Sequence, residues 1–290
     1  MSMAAHAFVL LQRLLPKRLL TAAVYWLARR RSVPVKNALI RGFCRLYPID
    51  LAEAEGGRAE DYADFNAFFT RALKPGVRPV APDPARLVSP CDGTVSERGT
   101  IDADRVLQAR LEAKSHTYTL AALLGDAAAA TPFVGGEFAT IYLAPYNYHR
   151  VHMPSSGRLV GIRHVPGALY SVNAATARAL PGLFARNERV VCHFETALGP
   201  LAVIFVGAMN VGSVSLVGLG EITPRAGRTL SDLPLPAARE FVRGAELGRF
   251  NMGSTVILLL PRGSVRWDDG FTARATVRVG ASIGRTERPA

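Results

Sequence analysis

Cysteine is scarce in this chain, which contains three in 290 residues. The thiols Cys44, Cys91 and Cys192 are odd in number and widely spaced, which argues against a disulfide framework and favours a reducing compartment. Acidic residues are scarce near the start, because residues 1–50 carry nine Lys or Arg and a single acid, Asp50. This cationic segment predicts an anionic partner.

Long apolar runs are missing from the same segment. No stretch there approaches the ~20 residues that a helix needs to cross a bilayer, Pro16 would break a helix, and no signal-peptide pattern is recognised. Residues 6–31, HAFVLLQRLLPKRLLTAAVYWLARRR, instead mix apolar and basic side chains. We interpret them as amphipathic helices lying on a membrane, with Tyr25 and Trp26 at the headgroups and residues 29–31 against anionic lipid. Helices packed on their own domain are the plainer alternative.

A proline-rich stretch divides the chain into two patterns. Residues 60–73, EDYADFNAFFTRAL, place large apolar side chains three and four positions apart, which indicates a helix. Four prolines between positions 75 and 84 then end the helical pattern. We therefore predict a helical membrane-docking region over residues 1–75 and a β-rich domain, which would carry any catalysis, over residues 76–290.

Beyond the prolines, short apolar segments alternate with turn residues, a pattern typical of β-strands. CHFETALGPLAVIFV indicates a hairpin with a Gly-Pro loop, and only TLAALLGD has a helical pattern. We predict an α+β fold that is mainly antiparallel β, a sandwich or barrel-like domain preceded by N-terminal amphipathic helices. The predicted strands are RLVSP, FATIYLAP, GRLVGIRHV, RVVCHFET, LAVIFVGAM, SVSLVGLGEI, STVILLL and ATVRV.

Three polar stretches stand among these apolar segments: SPCDGTVS with Asp92, YNYHRVHMP with His149 and His152, and RFNMGSTVILLLP with Ser254. Taken alone, Asp92 is explained as a turn former, and the two histidines as a loop pair with satisfied hydrogen bonds. A metal site is not expected, because the flanking prolines disfavour a helix and no further ligand stands at metal-binding spacing.

Together, an acid, an imidazole and a hydroxyl are the groups of nucleophilic catalysis. Ser254 is not in a G-x-S-x-G elbow. Gly253 leaves its own carbonyl unshielded, so the Ser254 hydroxyl can attack the preceding peptide bond. The resulting ester could lose its acyl group by β-elimination, and the dehydroalanine left behind would hydrolyse to a pyruvoyl group. Such a ketone forms a Schiff base with an amine and accepts electrons when an α-amino carboxylate loses CO₂.

The chain resembles the membrane-associated phosphatidylserine decarboxylases over most of its length. Met252 stands where that family usually has Leu, a change that conserves volume, and Cys91 stands where other small or apolar residues are common. The resemblance implies a cut between Gly253 and Ser254. The stretches that carry it, in the family's order, are FNAFFTRALKPGVRP, SPCDGTVS, YNYHRVHMPSSGRLV, PGALYSVN, NERVV, VGAMNVGSV and FNMGSTVILLL.

The resemblance also implies the products and the roles of the site residues. The cut would give a β chain of residues 1–253 and an α chain of residues 254–290 capped by the pyruvoyl cofactor. Asp92, His152 and Ser254 would form the self-processing triad. His149 would deliver a proton to the substrate carbon, although an exchange of roles between the two histidines stays open.

A peripheral enzyme at the cytoplasmic face of the cell membrane is implied, converting phosphatidylserine to phosphatidylethanolamine and CO₂. Its partners would be phosphatidylserine in the bilayer, the anionic membrane surface, its own two chains and, as a further option, a second copy in a homodimer. The loop HVPGALYSVN would flank the mouth of the site or form an ordinary hairpin.

Two other functions stay open on the residues alone. One is a serine hydrolase that uses Asp92, His152 and Ser254 on an external acyl substrate. The other is a noncatalytic lipid-binding module whose basic helices are its whole function. A nucleic-acid partner is not expected, because no recognised binding motif accompanies the charge.

Overall fold

The structure, a computed structural model, describes residues 10–12, 14–110, 115–209, 213–223, 229–252 and 254–287. All strand pairs among these residues are antiparallel, which confirms the predicted α+β class with mainly antiparallel β-structure. The large sheet is open, so the sandwich-like form of the prediction is observed rather than the barrel-like one.

The α-helices of the described residues lie at the start of the chain and on one side of the large sheet. They are α1 (Lys17–Ala28), α2 (Val33–Leu46), α3 (Phe65–Phe69), α4 (Leu120–Leu124), α5 (Ala127–Ala130), α6 (Ala174–Ala179) and α7 (Leu183–Arg186), with short 3₁₀ turns at Leu51–Glu53, Ala59–Asp61 and Thr131–Phe133.

The strands begin after the prolines, as predicted. They are β1 (Arg86–Val88), β2 (Gly93–Thr100), β3 (Arg105–Ala109), β4 (His116–Thr119), β5 (Glu137–Leu143), β6 (Arg150–His152), β7 (Gly157–Val165), β8 (Arg189–Thr196), β9 (Gly199–Val206), β10 (Val214–Leu216), β11 (Gly220–Ile222), β12 (Ser231–Asp232), β13 (Glu240–Phe241), β14 (Glu246–Phe250), β15 (Ser254–Leu260), β16 (Val265–Trp267), β17 (Thr276–Val277) and β18 (Ser282–Thr286).

The helical prediction over residues 60–73 is wrong in its length. The only α-helix there is α3, because Asp64 has an extended backbone and its carboxylate accepts a hydrogen bond from the Ala67 amide, which starts the helix late. Helices α5, α6 and α7 were not predicted. Each has four to six residues, so too few turns are present for a helical period to show in the sequence.

The predicted hairpin is confirmed as β8 and β9, but its turn differs from the prediction. Thr196 pairs with Gly199, so the turn residues are Ala197 and Leu198, and Gly199 with a φ of 93° begins the second strand. The stretch HVPGALYSVN is not a hairpin. Its residues 166–173 run as a loop from β7 into α6.

Strand β15 lies at the centre of the large sheet, whose order is β12-β7-β8-β9-β15-β5-β2-β17. Val256, Leu258 and Leu260 join the apolar core on one side, here called the front face. Ile257 and Leu259 join the core on the other side, the back face. Because β15 is covered on both faces, its run of apolar residues is unbroken instead of alternating with polar ones.

The two faces are covered by different kinds of structure. On the front face, smaller sheets contribute Leu87, Phe250 and Ile283 to the core. On the back face, α4 and α7 contribute residues such as Leu120 and Phe184. The large sheet is therefore the middle of three layers, an arrangement that buries both of its surfaces.

The N-terminal helices pack through residues such as Ile40 of α2 on a separate aromatic cluster, which is formed by Tyr62, Phe65, Phe68 and Phe69. Met252, just before β15, also packs against this aromatic cluster.

Helix α1 exposes large apolar side chains to solvent. Leu19 is 72% exposed and Trp26 is 59% exposed, and the Arg30 guanidinium lies 3.4 Å from the centroid of the Trp26 ring. Leu14, which precedes α1, is 77% exposed. In the part of the chain that the structure describes, no helix has the length and apolar character to span a membrane.

Candidate active site

The site is built around the first residue of β15. Ser254 pairs with Leu143 at the end of β5, and Thr255 pairs with Val206 at the end of β9. The start of the most buried strand is thereby held from both sides. Gly253, on the other side of the predicted cut, lies outside the described residues.

Asn251 anchors the backbone that enters this site. Its side-chain amide donates to the hydroxyls of Ser213 and Ser215 at 2.8 and 2.9 Å, and it accepts a bond from Asn66 at 3.3 Å. The next residue, Met252, has a φ of 117°. A residue with a Cβ avoids this region, so the backbone next to the predicted cut is strained by about 1–3 kcal/mol.

Asp92 lies just before β2 and is 6% exposed. Its carboxylate accepts bonds from Arg78, 2.7 Å from Nη2 to Oδ2, and from the Val279 amide at 2.8 Å. Arg78 also donates to Glu53 at 2.8 Å, and despite partial burial these carboxylates raise the pKa of its guanidinium. The Asp92 contacts are with Arg78 and Val279 rather than with its own turn, so Asp92 is a buried fixed charge.

His152 ends β6 and is bound at both ring nitrogens. Nδ1 lies 2.8 Å from the Gly244 carbonyl, so Nδ1 carries the proton and donates. Nε2 then accepts from the Tyr148 hydroxyl at 3.1 Å. Burial lowers the pKa of His152, against the opposing effect of the Gly244 bond and of the Glu246 and Asp92 charges. The imidazole is therefore neutral near pH 7.

The structure places the backbone segments of Asp92 and His152 next to each other in space, but their side chains are not bonded to each other. The His152 amide donates to the Pro90 carbonyl at 2.7 Å, which places the two backbone segments side by side. The carboxylate and the imidazole are nevertheless bound to other groups. His152 faces a cleft of about 150 Å³, lined among others by Lys74, Arg78, Tyr148, Gly244 and Val279.

His149 is completely buried. Its Nδ1 donates to the Asn147 carbonyl at 2.8 Å, and its ring lies 4.1 Å from that of Phe69. Among the described residues, Nε2 has no hydrogen-bond partner. Burial lowers the pKa of His149 to about 3, so the ring is neutral and Nε2 holds a free electron pair. The two histidines thus differ in their surroundings.

Comparison with known proteins identifies the family of this chain. A family profile described as Phosphatidylserine decarboxylase matches residues 65–285, and a second, described as PSD, matches residues 7–48. The chain belongs to the phosphatidylserine decarboxylase family. The first match contains Asp92, His149, His152 and Ser254, so all four predicted site residues lie inside the family's own region.

Bacterial relatives match this chain over nearly its whole length. A phosphatidylserine decarboxylase proenzyme of Methylococcus capsulatus is 49% identical over 98% of this chain and 99% of its own. Those of Hahella chejuensis and Acidovorax ebreus are 47% and 51% identical, covering 98% and 95% of this chain and 95% and 96% of theirs. The name proenzyme describes relatives made as precursors.

Arg78, Tyr148 and Asn251 were not assigned roles from the sequence. Arg78 and Tyr148 stand within stretches that resemble the family, FNAFFTRALKPGVRP and YNYHRVHMPSSGRLV, but neither has spacing that signals a contact. Their partners are distant in the chain, because Arg78 reaches Glu53 and Asp92 from different elements. Only folding brings these groups together.

The buried neutral His149 predicts an acid-sensitive fold. Its folded pKa of about 3 lies below the unfolded value near 6.5, so its contribution to stability is complete above about pH 6.5 and is lost as the pH falls toward 3. In a Ser254→Ala background, chosen to prevent the predicted cut, His149→Gln should flatten the fall by up to about 1.4 kcal/mol per pH unit. Denaturant titrations from pH 7 to pH 4 measure this, and parallel curves would contradict it.

Proposed function

We propose that this chain is a proenzyme that cuts itself between Gly253 and Ser254 and then converts phosphatidylserine to phosphatidylethanolamine and CO₂. The observation that supports it best is the backbone at Met252, whose φ of 117° stores strain beside the predicted cut. Strain that is relieved by cutting favours attack on that bond. The precursors named among the relatives support the same conclusion.

The two predicted chains would stay together after the cut. Residues 254–290 supply β15, which is bonded to β5 and β9 and is buried on both faces. They also supply β17, bonded to β2, and β18, bonded to β1. Dissociation of the α chain would expose this apolar surface and break the hydrogen bonds between these strands. The α chain therefore remains bound without a covalent link.

For the cut, we assign His152 as the base that takes the proton of the Ser254 hydroxyl. Its Nε2 carries no proton, since Nδ1 donates to Gly244, and it faces the cleft beside Tyr148. Asp92 acts as a fixed negative charge, because Arg78 and Val279 already occupy its oxygens. That charge raises the pKa of His152 and so stabilises the imidazolium formed by the transfer.

A pyruvoyl group at position 254 would supply a ketone that takes up the amine of the substrate and accepts the electron pair released as CO₂ leaves. The surrounding residues fit this group. His149 is bonded through its backbone carbonyl to Phe250, four residues before position 254, and its buried Nε2 is free to hold a proton. We assign His149 to accept at Nε2 the proton that the ammonium group of the substrate gives up, and to deliver it to the substrate carbon after CO₂ has left.

The membrane attachment is assigned to residues 1–75, leaving 76–290 as the catalytic domain. Exposed Leu14, Leu19 and Trp26 would enter the headgroup region, and Arg30 over the Trp26 ring would meet anionic lipid. Anionic lipid faces the cytoplasm, so we place the enzyme on the cytoplasmic face as a peripheral protein. A lipid substrate that stays in the bilayer explains why an enzyme needs such helices.

Denaturing mass spectrometry tests the cut. Wild-type protein should give two chains, with the smaller spanning residues 254–290 and beginning with a ketone, whereas Ser254→Ala should give one chain. Ser156→Ala, an exposed serine elsewhere, is the control and should be cut as the wild type is. An uncut wild-type chain with full decarboxylase activity would rule out the pyruvoyl mechanism.

Separate variants test the roles of the acid and the two histidines. Asp92→Asn and His152→Gln should remain largely uncut, because the hydroxyl proton then has no acceptor of adequate strength. His149→Gln should be cut normally and lose about 100-fold or more in kcat, the usual effect of removing a general acid or base. Chain ratios on gels and CO₂ release measure the two steps. Efficient cutting of His152→Gln would reassign the histidines.

Vesicle sedimentation tests the docking helices. The double variant Leu14→Gln, Leu19→Gln should bind phosphatidylglycerol-containing vesicles about tenfold or more weakly, because each exposed leucine gains apolar burial in the bilayer. Val242→Gln is the matched control, since Val242 is 69% exposed on the β-rich part of the chain. Unchanged binding of the double variant would show that α1 does not dock the protein.

A further inference from the structure

A cleft of about 490 Å³ beside α3 is lined by four arginines, here called the arginine cleft. The first follows α1, the second follows α3, the third begins β6 and the fourth lies in β14. They are Arg31, Arg71, Arg150 and Arg249. Clefts of roughly 300–1,000 Å³ are the usual size of small-ligand sites. Four guanidinium groups brought together from distant parts of the chain indicate an anionic ligand.

Arg71 is buried without a counter-ion. Its side chain is 6% exposed, and its Nε and Nη1 atoms have no hydrogen-bond partner among the described residues. Nη2 donates to the Tyr146 carbonyl at 3.3 Å, and the guanidinium lies 5.5 Å from the centroid of the Phe68 ring. Burial lowers the pKa of Arg71. Because an unpaired buried charge is costly, an anion in the arginine cleft would offset a cost that the fold otherwise bears.

Arg150 and Arg249 lie directly opposite each other on β6 and β14. Side chains at opposite positions share a face of the sheet, and like charges there repel each other. Glu246 partly neutralises Arg150, 2.8 Å from Oε2 to Nη1, and the Arg150 Nε donates to the Thr70 carbonyl at 2.9 Å. Arg249 is half-buried and has neither a carboxylate nor a hydrogen-bond acceptor as partner in the described part of the chain.

The acidic residues of the arginine cleft do not neutralise it. Asp61 accepts a bond from the Arg58 amide and Asp64 accepts one from the Ala67 amide, both at 2.8 Å, so each caps a helical turn. Glu55, which also lines the cleft, is exposed to solvent. Within the described ranges, none of these three carboxylates forms an ion pair with an arginine of the cleft. Unpaired positive charge therefore remains at Arg71 and Arg249.

The arginine cleft adjoins the helix that exposes apolar side chains. Arg31 is three residues beyond Ala28, where α1 ends, and α1 exposes Leu19 and Trp26. Phosphate groups are the anions at the surface of a phospholipid membrane. A guanidinium matches phosphate well, because it can donate two parallel hydrogen bonds to two phosphate oxygens.

We propose that the arginine cleft binds the phosphate of an anionic phospholipid, through hydrogen bonds from Arg249 and Arg150 and the added charge of Arg71. This goes beyond the proposed function, because the lipid is held as an anchor and takes part in neither the cut nor the decarboxylation. The choice of a lipid as the source of the phosphate rests on the proposed docking of α1. The phosphate site itself does not.

Isothermal titration calorimetry on the full protein tests the site with soluble probes. Dihexanoyl phosphatidylglycerol, used below its micelle concentration, has a phosphate but neither an amine nor a carboxylate, so it cannot be a substrate. Dihexanoylglycerol has the same acyl chains without phosphate, and inorganic phosphate has no chains. The wild type should bind the first most tightly. Arg249→Gln should weaken that binding by about 10- to 100-fold, the usual effect of losing a hydrogen bond to a charged group.

Matched variants separate phosphate recognition from a change in net charge or in the fold. Arg266→Gln alters one arginine of an exposed cross-strand pair, Arg266 and Arg285, and should bind the lipid as the wild type does. Arg71→Gln should also weaken binding, and it is the second variant if Arg249→Gln does not fold. In phosphate-free buffer, Arg249→Gln should unfold at the same urea concentration as the wild type or at a higher one, because repulsion from Arg150 is removed.

The outcomes separate this site from the proposed function. Absent lipid binding by the wild type, or an equal loss in Arg249→Gln and Arg266→Gln, overturns the site. Inorganic phosphate that binds as tightly as the lipid would assign the arginine cleft to a free anion and overturn the lipid as its ligand. The same titrations on Ser254→Ala need no cut chain, so they decide the site even if the wild type is never cut. Vesicle binding that survives Leu14→Gln, Leu19→Gln rejects docking by α1 and leaves the phosphate titrations decisive.

Discussion

Burial of β15 on both faces is the constraint on which the rest of the structure depends. The strand is bonded on one side to β5 and on the other to β9, and its side chains fill two separate cores. A strand so fixed sets the position of its first residue, Ser254, within narrow limits. It also binds the segment after the predicted cut to the rest of the protein, so a broken peptide bond need not release a chain.

Two buried carboxylates lie on either side of β15 in the large sheet, Asp92 beside β2 and Glu188 beside β8. On the β2 side, Asp92 is held by Arg78 and the Val279 amide, with His152 on the neighbouring segment. On the β8 side, Glu188 is bonded to His164 of β7, which lies on the side of β8 facing away from β9 and β15. Burying such charges is costly unless each has a partner, and each carboxylate here has one.

The parts predicted from the sequence are those with a short-range signal. Alternating apolar segments and turn residues located nine of the 18 strands in the described residues, namely β1, β5, β7 to β11, β15 and β17. The hairpin of β8 and β9 was found with its turn misplaced by the Gly-Pro pair. The polar stretches that contain Asp92 and the two histidines also stood out against apolar surroundings. Helices α5 to α7 have too few residues to show a period, and Asp64 shortened a helix whose apolar spacing was correct.

By itself, the sequence determined the class of fold and the family and supplied the candidate reactive residues, because these depend on composition, local periodicity and order along the chain. The tertiary structure alone decided which groups meet. Arg78 is 14 residues from Asp92, and Glu188 is 24 from His164, so no local pattern announces either pair. It also decided that Asp92 and His152 are bound to other groups and that His149 is buried and neutral, since burial and contact arise only when distant segments pack.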